Sequence, residues 1–233
     1  MSGQVPAKHS FRSHFRNVSS LAGVIGPLVL ALTTIIAHFH KVPYDWLSQT
    51  ISQLGVGPYG WVENTGFIVM GVLSITFAEA LYAGFRPRRS LTAAVVVWIL
   101  IGFTFIAAGI FVADPVAVGI TTLHGVIHDV AGHALAVFFP FACFLMLPGF
   151  EADIHWDKFV VYTIVAGAAA FVLDSLRILV PWHLILPWNG VYERIILVNA
   201  LVWLELVALK LLSHTRDSDK PPDSAVEVPQ EPV

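Results

Sequence analysis

Charge is scarce in this chain. Asp, Glu, Lys and Arg make up 12% of its 233 residues, where an ordinary soluble domain has roughly a quarter. What charge there is nearly cancels, 13 basic against 16 acidic side chains for a net of -3. No field of one sign exists to attract nucleic acid or an acidic substrate. Cysteine is nearly absent too. The single Cys143 cannot form an intrachain disulfide, a Cys-based zinc finger or a CxxC redox pair, and its place in an apolar run makes it a small buried hydrophobe. There is no internal repeat and no Gly-rich phosphate loop.

What is present is apolar: 56% of residues are hydrophobic and the mean hydropathy is +0.74. A single soluble core of this size cannot hide that much, because its surface must still be polar, so the second solvent is lipid. A spanning helix needs about 20 mostly apolar residues. Six stretches qualify, centred on 18–39, 64–85, 91–112, 121–147, 159–180 and 193–213. The predicted fold is all-α: a polytopic integral membrane protein with six transmembrane helices. It divides into a basic N-terminal segment (1–17), a six-helix domain (18–213) and a Pro-rich, acidic tail (214–233) that reads as disordered. In the loop between the first two spans, Asp45 suits an N-cap, Leu47, Ile51 and Leu54 follow at i, i+4, i+7, and Gly55 suits a stop. That pattern predicts a short amphipathic helix over 45–54 lying in the outer interface, with Trp46, Tyr59 and Trp61 as anchors at that depth.

Lys and Arg accumulate in loops left in the cytoplasm. Ten of the 13 fall on one side: Lys8, Arg12, Arg16, Arg86, Arg88, Arg89, Lys158, Lys210, Arg216 and Lys220. Lys41, Arg177 and Arg194 fall on the other. Both termini are therefore expected in the cytoplasm of a cell whose inner (plasma) membrane holds the protein. The apolar run of the first span is long and lacks a small-x-small cleavage site, so it reads as an uncleaved helix.

The few intramembrane charges are informative, since each costs about 2.5 to 3.5 kcal/mol at the bilayer centre. At about 100° per residue, His124 and His128 of the fourth span share one face, and Asp129 and His133 share another. Asp174 and Arg177 sit at i, i+3 on the fifth span, spaced for an ion pair. Glu193, Arg194 and Asn199 open the sixth, and Glu63 and Asn64 the second. All lie toward the predicted outer face. Glu79 and Glu205 lie toward the inner ends, where partial exposure explains them. The pattern is a polar cup open to one side rather than a path across the membrane.

Two chemistries and one structural reading remain open. In the first, His124 and His128 bind zinc with a carboxylate from a neighbouring span, although no Glu stands between them as in HExxH. In the second, His124 and Asp129 transfer protons while Arg177 and Arg194 hold an anionic group such as a lipid phosphate. In the third, the charges are structural ion pairs, for example Arg177 with Glu193 or Asp129, in a non-catalytic scaffold or partner-interaction module. Membrane lipids are the expected partners in the second.

Four segments carry a family resemblance: Ile51-Ser52-Gln53-Leu54-Gly55, Gly109-Ile110-Phe111-Val112-Ala113-Asp114-Pro115, the Thr-x-x-His-Gly run from Thr121 to Gly125, and Gly190-Val191-Tyr192-Glu193-Arg194-Ile195. Over about residues 18–213 the chain resembles the bacterial membrane proteins grouped as domain of unknown function 998. The resemblance implies six spans and no established activity. It places motif residues at Ser52, Gly55, Asp114, His124, Glu193 and Arg194, making Ser52, Asp114 and Glu193 ligand-binding candidates beside the two arginines. His128, Asp129 and His133 fall outside its motifs, and Gln53 stands where the family usually has an acid. A looser likeness links Ser52, Asp129, His124, His128 and His133 to the Ser, Asp and three-His zinc inventory of seven-helix hydrolases of the alkaline ceramidase and progestin-receptor type, which have one span more.

The orientation is directly testable. A cysteine introduced in loop 181–192 is expected to react with a membrane-impermeant thiol reagent on intact cells, while Cys143 stays silent; protection of the new cysteine would invert the assignment.

Overall fold

The structure is a computed structural model and describes residues 6–218. Seven α-helices occur among these residues: α1 (Pro6–His40), α2 (Gly60–Gly84), α3 (Arg89–Ile110), α4 (Leu123–Phe150), α5 (Asp157–Leu179), the single turn α6 (Trp182–Ile185) and α7 (Asn189–Ser218). All but α6 are long and apolar enough to cross a membrane. The basic N-terminal segment is already helical from Pro6. Structure also persists past the predicted start of the tail, because α7 continues to Ser218; residues 219–233 lie outside the described residues.

Sequential helices pack side by side from α1 to α5, and α7 returns to pack against α1. α5 packs mainly on α4, and α7 reaches it through side chains, Tyr192, Asn199 and Trp203 donating to Leu173, Ala166 and Thr163. Helices in lipid gain no hydrophobic drive from one another, so small residues and close packing must hold them. Gly71 of α2 and Gly102 of α3 do this: a Cβ on Gly71 would sit 2.5 Å from the Gly102 carbonyl. Outward, Leu28, Leu32, Ile35, Phe103, Val130 and Val165 are exposed, as side chains facing acyl chains must be.

The core is aromatic. Trp203 of α7 stacks on Trp98 of α3 at 5.4 Å between ring centres, takes the edge of Phe139 of α4, and donates its indole N–H to Thr163 Oγ1 of α5 at 2.9 Å. One side chain thus joins four helices. Toward the end where the α2–α3 and α4–α5 loops lie, Phe150 stacks on Trp156 at 4.9 Å, with Phe85 against both.

The segment between α1 and α2 departs from the predicted helix over 45–54. It forms a turn at 46–48 and, after the extended residue Thr50 (φ -69°, ψ 161°), a separate 3-10 helix, Ile51–Gly55. Asp45 does cap, accepting from the Leu47 N–H and the Ser48 hydroxyl, but only that first turn. The 3-10 helix is not laid on an interface: Ile51 and Leu54 are buried. It plugs the bundle mouth, held there by polar partners that other helices supply.

Replacing Trp203 with Ala removes the joint of four helices and is expected to cost on the order of 3 kcal/mol. Denaturation in detergent micelles reads this as an early melting transition, whereas Trp203→Phe retains most of the packing and loses the Thr163 bond.

Candidate functional site

The plug has short, buried backbone at both ends, and in a membrane protein such groups must be satisfied internally. Glu193 of α7 does this at the start: its carboxylate accepts from the Ile51 N–H and, at 3.2 Å, from the Ser52 hydroxyl. Lys41 does it at the end, donating to the carbonyls of Gln53 and Val56. An anion at the N-terminus and a cation at the C-terminus also suit the local dipole. Burial pushes the Lys41 ammonium below its ordinary range. Asn64 of α2 adds a bond to the Gly55 carbonyl at 3.0 Å.

Gln53 joins the plug to the next loop. Its side-chain NH₂ donates to the Asp114 carbonyl at 2.8 Å and its oxygen accepts from Val116 N–H at 3.2 Å. A carboxylate at position 53 could only accept, so the amide of Gln53 supplies a two-way backbone clamp. Asp114 in turn closes the loop before α4, accepting from the N–H groups of Thr121 and Thr122 at 2.7 and 2.8 Å and from the Thr122 hydroxyl at 2.7 Å. These donors hold its carboxyl below the usual carboxylate range. Thr122 then caps α4 through Gly125 N–H.

Arg194 secures the first turn of the segment. One guanidinium nitrogen donates to the carbonyls of Trp46, Gln49 and Gly190 at 2.8 to 3.1 Å, and the other donates to the Tyr44 hydroxyl at 2.5 Å. The Val191 N–H reaches the Leu47 carbonyl, so this turn also caps α7. Gly190 is required there, because any Cβ would strike the carbonyls of Trp46 and Gln49. Arg194, expected as an anion contact, is instead a staple between α7 and the plug.

Beneath the plug lies a cavity of ≈ 360 Å³ among α2, α3, α4, α5 and α7. Thr50, Ser52, Asp129, His133 and Arg177 contribute to its polar wall; Phe67, Phe105, Phe139 and Leu197 line its apolar part. The Arg177 side chain makes no hydrogen bond or ion pair with any described residue, and the pairs expected with Asp174, Glu193 or Asp129 do not form within 4 Å. Both Asp174 oxygens are buried without a hydrogen-bond partner among the described residues. Asp129 instead lies 3.4 Å from His133 on its own helix.

The two histidines of the predicted pair part ways. His128 is buried and lines the cavity, its Nδ1 bonded to the carbonyls of Ala108 and Phe111 at 2.9 and 2.8 Å. Carbonyls only accept, so Nδ1 bears the proton. His124 sits in the first turn of α4, exposed, with its ring against Phe111, and does not line the cavity. It therefore does not join Asp129 there as a proton-transfer partner. Nor does the pair fit zinc: one nitrogen of His128 is held by carbonyls, His124 lies outside the cavity, and no three His, Cys, Asp or Glu side chains gather among the described residues.

Sequence reasoning passed over Lys41, Tyr44 and Gln53 as site residues, although Gln53 lay inside a motif. It noted Glu63 without assigning it a role. Glu63 is fully buried, with one oxygen accepting from Thr34 at 2.9 Å and the other without a hydrogen-bond partner among the described residues.

The profile of a family described as protein of unknown function, DUF998, matches residues 24–210. The chain belongs to the DUF998 family. No curated protein and no solved structure matches it. The DUF998 region runs from α1 into α7 and so takes in the plug, its pins and the whole cavity lining.

Arg194→Ala is expected to free the turn at 46–48 while the six long helices persist, at a cost on the order of 2 kcal/mol. Hydrogen exchange would show faster labelling over residues 44–50 than in the parent; unchanged protection there would mean that the staple is dispensable.

Proposed function

We propose that this DUF998 protein is a multi-pass protein of the inner membrane, termini in the cytoplasm, that binds an amphipathic molecule with an anionic head in the cavity beneath the plug. One observation carries the reading: Arg177, a cation that lipid would penalise by about 2.5 to 3.5 kcal/mol, lines the cavity with no side-chain hydrogen bond or salt bridge to the described residues. The acids around the cavity differ. Asp114 and Glu193 have donors from the chain, and Asp129 has His133. An anionic head at Arg177 completes the set, and the apolar lining receives a chain.

A second reading, a non-catalytic scaffold whose charges are structural, draws support from Arg194, Glu193 and Asp114, all of which bind backbone of the plug and loops. Arg177 separates the two. Protein purified in mild detergent is expected to retain an anionic amphiphile detectable by mass spectrometry, and Arg177→Gln to lower its occupancy several-fold without lowering the melting temperature. If the variant melts early with retention unchanged, the scaffold reading replaces this one.

A further inference from the structure

Resting on the binding reading above, we infer that the cavity selects a phosphate monoester on a single apolar chain, with Arg177 holding its charge and His128 sharing its proton. The protein fixes the orientation of His128. Because Nδ1 donates to the carbonyls of Ala108 and Phe111 at the end of α3, the nitrogen left for the cavity is Nε2. The ring has little freedom to turn, since it is buried and lies edge-on to Phe67 at 6.4 Å. Holding one imidazole nitrogen on a carbonyl so that the other meets a ligand is how proteins set a histidine's role. The cavity thus offers an oriented nitrogen and, from α5, a guanidinium suited to phosphate.

This pair calls for a head that is anionic and still has a proton to share near neutral pH. A phosphate monoester loses its second proton near pH 6 and therefore places one proton between its oxygen and Nε2. A phosphate diester has none to give. Size limits the ligand further: ≈ 360 Å³ is near the lower end of ligand sites, which span about 300 to 1,000 Å³. That suits a compact head with part of one chain beside Phe105, Phe139 and Leu197.

The test compares dodecyl phosphate, its methyl diester and inorganic phosphate on the purified full-length protein, by calorimetry in detergent. Dodecyl phosphate is expected to bind about tenfold tighter than the diester, the scale of one added hydrogen bond, and inorganic phosphate at equal concentration not to displace it. His128→Asn keeps an N–H for the Ala108 and Phe111 carbonyls but removes Nε2. It should melt like the parent and erase the tenfold gap, while Arg177→Gln weakens both alkyl probes. Equal binding of the two by the parent, or a gap that survives His128→Asn, overturns the inference and leaves the binding reading standing. Displacement by inorganic phosphate would make free phosphate the ligand and overturns the chain-bearing part. If neither alkyl probe binds the parent, both readings fall. The parent's preference between the two probes decides the matter even if His128→Asn does not fold.

Discussion

In lipid there is no water to finish an incomplete hydrogen bond. The loop-rich end of this bundle follows from that constraint. A stretch of non-helical backbone, Ile51–Gly55, is buried in the bundle mouth, and its free N–H and carbonyl groups must find partners in the protein. Glu193, Lys41 and Asn64 provide them from three different places in the chain. Charges that would be costly facing acyl chains become affordable because each is turned onto backbone dipoles. Their presence near the membrane surface is thus first a consequence of the plug.

The same constraint picks out what the plug leaves over. Arg194 and Arg177 are both arginines toward the predicted outer face, yet Arg194 is surrounded by carbonyls and Arg177 is not. A guanidinium that stabilises the fold has its acceptors in the fold. One that lines a cavity without them marks where an external acceptor belongs. α7 packs mainly on α1 and α5 mainly on α4, and the aromatic joint at Trp203 ties α3, α4, α5 and α7 together.

The legible part of the sequence was the part governed by averages over many residues. Six hydropathy maxima became six spanning helices because the insertion energy of about twenty residues swamps any local exception. The motif around Ser52 and that around Glu193 pointed to one place, and the two side chains do meet. Single positions were harder. The i, i+4 pattern of His124 and His128 correctly puts both on one side of α4, yet His124 lies a turn nearer the helix end, beyond the cavity, and only His128 faces carbonyls of α3. The apolar spacing of Leu47, Ile51 and Leu54 read as one amphipathic helix because periodicity is blind to the extended backbone of Thr50, which the pins on either side impose.

The sequence alone therefore determined the solvent, the number of spans and the confinement of polar groups toward one face, since these depend on composition and its period along the chain. Tertiary structure alone decided which polar groups are staples and which line a cavity. Whether Arg177, Arg194, Asp114 or His128 finds a partner depends on backbone carbonyls and N–H groups, which every residue possesses and no sequence pattern distinguishes. Only their placement by the packed helices makes Arg194 structural and sets Arg177 in the cavity wall.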